Sequence, residues 1–500
     1  MPSPRQVSGC AGRVLIALAC ALSAALALSG PALGARVTLL PPHGRARVVN
    51  DRFVPAGLGW GVPAGRGTPV AAVASAASAG SRRGGLTVDQ RLSQLKRQRA
   101  ITASEERGYV RAWSSALRTE KRLHGERAIE LGAVIANLRA ITAEHALIAS
   151  RLPALFLTLA RNVQWWTRGP LLSYGQRVEF SGSKLVWEFY PGQGIQLQVL
   201  GSFGEADGFY TAGRAHYGQL KSLLGELIPL AVHRGGGLAW EYYFSFDGGS
   251  PPWVSAMAEG TALEALTRGY RATGNRSYLA IAHRALGILR IRPESGVSMP
   301  LSHGTWFSQY SFAPHTYILN AFLQTLIGLY DYAEVSKDPV AERLFAAGNR
   351  EAEVEVPRFD TGAWSLYQPG LEDDLSYHEL VTGFLQELCS RTGAAVYCRT
   401  AQHFQSYLHI PPKLTQLTLR ATARRAFALR FRLSKISRVG IVLKRGNRTL
   451  MATSAQFPYG VHSFSMPGLG RGTYTVHLSA TDLAGNFSRV VGSLAVRRRR

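Results

Sequence analysis

Cysteine is scarce in this chain: four among 500 residues, at positions 10, 20, 389 and 398. That excludes a disulfide-dense scaffold and leaves too few thiolates for a cysteine-built zinc or iron–sulfur centre. Acidic residues are also few, 32 against 57 Lys and Arg. After residue 28 no apolar run approaches the roughly 20 residues a spanning helix needs. G-x-S-x-G, H-E-x-x-H, P-loop and dinucleotide-binding patterns do not occur in a supporting context, so hydrolase, zincin and nucleotide readings have no anchor. The 13 histidines are scattered, with no ligand spacing. What the chain does have is a 46% hydrophobic content, enough for two or three folded domains at this length.

The first 34 residues are laid out as a signal peptide. Arg5 and Arg13 precede VLIALACALSAALAL, and PALGA follows, with Ala32 and Gly34 at the small positions of a cleavage site. A membrane anchor is the rival reading, but this apolar stretch is short for a span. The chain is therefore expected to be secreted or extracellular, with attachment to the cell envelope left open. Cys389 and Cys398 then remain, in QELCSRTGAAVYC, and in an exported chain a short disulfide is the expected outcome.

The basic excess is uneven. Residues 165–412 carry 18 Lys and Arg against 23 Asp and Glu, whereas residues 413–500 carry 17 against one. Such a tail suits docking to an acidic surface, an anionic cell-envelope polymer rather than nucleic acid, or else is a compositional bias that aids solubility.

Residues 35–86, rich in Gly, Ala, Pro and Ser, read as a disordered linker. T-V-D-Q at Thr87 is a capping box. Leu86, Leu92, Leu95, Val110, Trp113, Leu117, Leu131, Ile135 and Leu138 then recur at helical spacing, predicting a helical segment over 87–166. Over 167–250 RVEF, KLVWEFY, IQLQVLGSF and GLAWEYYFSF read as strands, interrupted by a helix near 213–228. From 251 to 412 helices come in pairs, the first of each pair the more apolar. This alternation is the pattern of an (α/α) barrel or toroid. Residues 413–500 read as a small antiparallel sandwich of the immunoglobulin-like kind. The fold class expected is thus multidomain α+β: a β-rich section, an (α/α) barrel and an Ig-like β-sandwich.

Tyr, Trp, His and carboxylates gather at the starts of the paired helices, as aromatic platforms do where sugar rings are held. Here PPWVSAMAEGTALEALTRGYRAT, TWFSQYSFAPHTYILNAFLQTLIGLYDYAEV and RFDTGAWSLYQPG with DLSYHELVTGFLQEL resemble the C-terminal catalytic domain of D-glucuronyl C5-epimerases, in order over about 160 residues. FYPGQGIQLQVLGSFG resembles that family's upstream YP-x-Q segment, at Tyr190. The resemblance implies a uronic-acid polysaccharide substrate of the heparosan type, inversion of C5 in glucuronate units, no metal or organic cofactor, and a fold compatible with a homodimer. It places Tyr310, Tyr367 and Tyr377 as catalytic tyrosines. Gln309, Trp306, His378, Glu259, Asn320 and Tyr190 are expected to bind substrate.

Tyrosine suits one half of such an inversion. With an ordinary pKa near 10 it is a ready proton donor, and it becomes a base only where a cation or hydrogen bond lowers it. Two departures from the family pattern stand out. Gln309 replaces the glutamate before the first tyrosine, and Y-Q-P-G at Tyr367 lacks the family's arginine. Two alternatives to an epimerase follow: a polysaccharide lyase running through the same carbanion, and a glycan-binding protein without catalysis.

Overall fold

The computed structural model describes residues 35–54 and 86–498. The expected signal peptide, and the linker between 55 and 85, lie outside the described residues. Among the described residues no helix is long and apolar enough to cross a membrane.

The start of the expected linker is a hairpin, β1 (Ala35–Leu40) and β2 (Arg47–Asp51). Val37 and Leu40, within ARVTLL, are fully buried, and so short a pattern is hidden by the Gly- and Ala-rich composition around it. β1 runs parallel to β3 (Arg177–Phe180), which continues antiparallel into β4 (Trp187–Tyr190) and β5 (Gly194–Leu197). The five-stranded order is β2-β1-β3-β4-β5.

Among the described residues four α-helices precede β3: α1 (Val88–Arg97), α2 (Ala103–Glu120), α3 (Glu126–Ala143) and α4 (Leu152–Arg168). Thr87 with Gln90, and Thr102 with Glu105, close complete capping boxes at the first two. The stretch VLGSF, expected as strand, instead opens α5 (Val199–Thr211). Leu200, Phe203, Ala206 and Phe209 are buried on a helix hidden on most of its faces, so no helical period shows in the sequence to separate it from a strand. GLAWEYYFSF is strand only at β7 (Gly237–Ala239), paired with β6 (Val232–Arg234).

The helical pairs are α5 with α6 (Tyr217–Leu227), α7 (Ala256–Thr273) with α8 (Ser277–Ala285), α9 (Leu319–Ser336) with α10 (Pro339–Glu355), and α11 (Leu375–Thr392) with α12 (Ala395–Tyr407). The first helices pack side by side in the order α5, α7, α9, α11, and each partner lies against its own first helix. Their sequences explain the layering: α7 and α9 are buried on nearly every face, whereas α8 and α10 bury only a stripe. At the α7–α9 crossing Gly260 meets Gly328 backbone to backbone. Ser255 and Asp374 cap α7 and α11, and Gly274 and Gly393 end them in left-handed conformation. A disulfide between Cys389 and Cys398 ties α11 to α12.

The tail forms two sheets over one core. Three strands (Leu414–Gln416, Phe427–Leu433, Gly460–Met466) face five (Arg420–Thr422, Phe487–Arg497, Gly472–Asp482, Ser437–Arg445, Arg448–Phe457). Along FALRFRL, Leu429, Phe431 and Leu433 point inward while Arg430 and Arg432 are exposed. This module is fastened to the helices. Lys435 Nζ, buried, sits 2.6 Å from Asp482 and donates to Tyr407 O at 2.7 Å. Glu372 accepts from Ile436 N (2.8 Å) and Tyr459 N (2.7 Å).

Candidate active site

Three segments carry the tyrosines. Tyr310 lies in the loop between β9 (Thr305–Phe307), which pairs with β8 (Ser298–Pro300), and α9. That loop is stitched to the entry of α7: Ser311 N donates to Val254 O (3.0 Å), and Val254 N donates to Ser311 Oγ (3.2 Å). Tyr367 is in the middle of β10 (Leu366–Gln368), paired with β11 (Leu371–Glu372). Tyr377 stands in the first turn of α11, its N–H held by the Asp374 cap at 2.9 Å.

The fold brings all three together. The Tyr367 and Tyr377 rings meet edge to face at 5.1 Å. The Tyr310 hydroxyl hydrogen-bonds with Tyr367, and the Gln309 amide supports Tyr310. Tyr310 also stacks on Phe312 at 5.2 Å and meets Trp253 and Phe246 at 5.8 Å each. From Phe246 the row of rings continues to Tyr190 at 6.2 Å, so the upstream tyrosine is two rings from Tyr310. The Tyr190 hydroxyl accepts from Gln198 Nε2 at 3.0 Å.

Burial, and the neighbouring tyrosines after it, push the Tyr310 phenol well above its ordinary value. Burial does the same to Tyr367, and the Asp247 carboxylate adds to both. In the free protein these phenols hold their protons at neutral pH, which suits them as proton donors. Asp247, in left-handed backbone at φ 44°, is one of the carboxylates gathered near the helix starts to which the sequence assigns no role. Its signal is F-D-G-G, a turn whose glycines let the chain fold back so that Phe246 and Gly249 pair.

Gln309 is buried, and its Oε1 lies 3.4 Å from Ser255 Oγ at the cap of α7. Other expected binding residues lie elsewhere. Trp306 is fully buried and stacked 4.0 Å from Phe322, with Phe359 on the same stack, so it is core beneath the loop. The reason is the alternation of β9, which sends Trp306 towards α9. His378 is also fully buried. Its ring stacks on Trp364 at 3.8 Å, Nε2 lies 2.9 Å from Phe404 O, and Nδ1 lies 2.7 Å from Ser365 Oγ. Being next to Tyr377 on a helix turns it about 100° away from that tyrosine. Burial lowers it to about 4, so the imidazole is neutral. Ser365 also meets Asp373 Oδ2 at 2.5 Å, and burial raises Asp373 to about 8. This triple holds the base of the Tyr367 hairpin.

Glu259 is buried, raised to about 8 by that burial, and accepts from Trp240 N at 2.8 Å. It locks the chain that leaves β7 onto α7. Asn320, in the first turn of α9, sets its Nδ2 3.7 Å from Met257 Sδ, leaving Oδ1 buried without a hydrogen-bond partner among the described residues.

Residues 235–406 match the family model described as D-glucuronyl C5-epimerase C-terminus. Over this segment the chain is similar to that family. The matched segment includes Tyr310, Tyr367 and Tyr377, and excludes Tyr190 and the C-terminal sheets. A D-glucuronyl C5-epimerase of Caenorhabditis elegans is 32% identical over 130 residues, covering 23% of this chain and 21% of that protein. An uncharacterized protein of Methanocaldococcus jannaschii is 25% identical over 170 residues, 32% of this chain and 55% of its own. The chain thus spans about a fifth and about half of these relatives. Among solved structures, an alpha-mannanase of Bacteroides thetaiotaomicron aligns with TM-score 0.34 at 11% identity, over 46% of this chain and 60% of its own.

Proposed function

We propose that this protein is a carbohydrate epimerase that inverts C5 of glucuronate units in a uronic-acid polysaccharide. The observation that carries the reading is the convergence of Tyr310, Tyr367 and Tyr377, from three separate segments of the epimerase-family region, beside a row of aromatic rings. Inversion needs a group that removes the C5 proton and a second group, across the ring, that returns one. Buried phenols that keep their protons supply the second group. The first is assigned to the Asp247 carboxylate, whose charge acts on both Tyr310 and Tyr367. The aromatic row from Tyr190 to Phe312 would carry the apolar faces of neighbouring sugars.

The paired helices suit an (α/α) barrel, and the two C-terminal sheets suit an immunoglobulin-like sandwich. Their exposed arginines suit an anionic envelope polymer, and the first 34 residues suit export. Gln309 favours a second reading. A neutral amide stands beside Tyr310, and a glycan-binding protein without catalysis needs nothing more.

The test incubates the full chain with unsulfated glucuronate polymer in deuterated water. The epimerase reading expects deuterium at C5 with wild type. Loss of that signal is expected in Tyr310→Phe, Tyr377→Phe and Asp247→Asn. Polymer binding without exchange in wild type would establish the silent reading instead, and an unsaturated, ultraviolet-absorbing product would indicate a lyase.

A further inference from the structure

Away from the tyrosines, Asp51 at the end of β2, Glu179 in β3 and Glu205 in α5 bring three carboxylates to one point, with an oxygen of each within 4.8 Å of the others. The three come from elements far apart in sequence, joined where the hairpin end packs on α5: the Phe53 and Phe209 rings are 4.8 Å apart, and a Cβ on Gly208 would sit 3.2 Å from Phe53 O, tighter than ordinary contact. Asp51 has local partners, since its Oδ1 accepts from Phe53 N at 2.9 Å and its Oδ2 lies 3.6 Å from Lys184 Nζ.

Glu205 is different. It is fully buried and directed into the cluster, and among the described residues neither of its oxygens has a hydrogen-bond partner; nor does Glu179 Oε1. The Glu226 carboxylate nearby is taken up by Ser183 Oγ and Lys184 N. One lysine, a third exposed, therefore faces three carboxylates. Like charges this close in a poorly solvated site repel strongly unless a cation joins them.

We propose that Asp51, Glu179 and Glu205 bind one calcium ion that pins the N-terminal hairpin to α5. The spacing fits. Oxygens on opposite sides of calcium, each about 2.3–2.6 Å from it, lie about 4.6–5.2 Å apart. Three carboxylates offer six oxygens, within calcium's range of coordination, whereas magnesium keeps several waters and would need solvent that Glu205 does not meet. The ion is structural. None of its three ligands belongs to the tyrosine site, and the inference does not depend on the proposed reaction.

The test uses the full chain, freed of divalent ions with a chelator and titrated with CaCl2 by calorimetry. One ion per chain is expected, with Kd at or below about 1 mM and a rise in melting temperature. Glu205→Gln and Asp51→Asn should abolish both responses. Glu205→Gln should also melt no lower than wild type in chelator, because a neutral amide of the same shape replaces a buried carboxyl that then has no ion to bind, which separates lost binding from lost folding. No calcium bound by wild type at 10 times that concentration would overturn the site. So would unchanged binding in Glu205→Gln, and MgCl2 binding as tightly as CaCl2 would overturn the calcium assignment.

Discussion

The crossing of α7 and α9 positions both the Gln309–Tyr310 loop and the cap at Ser255, and it depends on two glycines. A Cβ placed on Gly328 would lie 1.9 Å from Gly260 O and 3.0 Å from Gly260 Cα. Ordinary contact begins at 3.4 Å, so Gly328→Ala requires the helices to part by about 1.5 Å. The clash is with backbone, which no rotamer change relieves. Overpacking of this kind costs about 3 kcal/mol or more, while alanine returns about 1 kcal/mol of helix propensity. The net expectation is a loss of about 2 kcal/mol or more in denaturant unfolding. Gly383→Ala is the matched control: it lies within α11 with nothing within 4 Å of the added methyl, and should gain about 0.5–1 kcal/mol. A Gly328→Ala protein as stable as wild type, or both variants shifting the same way, would refute the close crossing.

His378 titrates at about 4 in the folded chain against an ordinary 6.5 once unfolded. A depressed base contributes stability that is present above 6.5 and lost as pH falls through 4, here about 3 kcal/mol; unfolding of His378→Phe should lose that much less between pH 7.5 and 4. Lys435→Met leaves Asp482 buried without its cation at the end of the Gly472–Asp482 strand, with Asn486 still donating to it, so chemical denaturation should register a loss of about 3 kcal/mol. Replacing Cys389 and Cys398 by Ser opens a loop with sequence separation 9, which by loop-closure entropy costs about 2–3 kcal/mol; reduced wild type should unfold at the same midpoint as the double variant.

Much of this fold was legible because long helices repeat their apolar positions many times. The three pairs from α7 to α12, the Thr87 capping box and the inward alternation of FALRFRL all rest on such periods. Short elements failed for the complementary reason. ARVTLL and VLGSF are too brief to fix a period, and tertiary pairing with β3 and with α7 decides them. The tyrosines were found through motif order, which records which residues recur but not which way each faces. Trp306 and His378 lie close in sequence to Tyr310 and Tyr377 yet face the core. Asp247 was read only as one of the carboxylates near the helix starts, because turn residues carry no periodic signal that would give it a role. The carboxylate cluster could not be read at all, since 128 and 26 positions separate its members in order.

Inversion at C5 by Asp247 and the three tyrosines is decided by NMR of a glucuronate polymer after prolonged incubation with the protein in deuterated water. Inverted uronate residues are expected, each carrying solvent deuterium at C5, and none with Tyr310→Phe. Polymer recovered unchanged in configuration and free of deuterium, from protein shown to bind it, would contradict this chemistry.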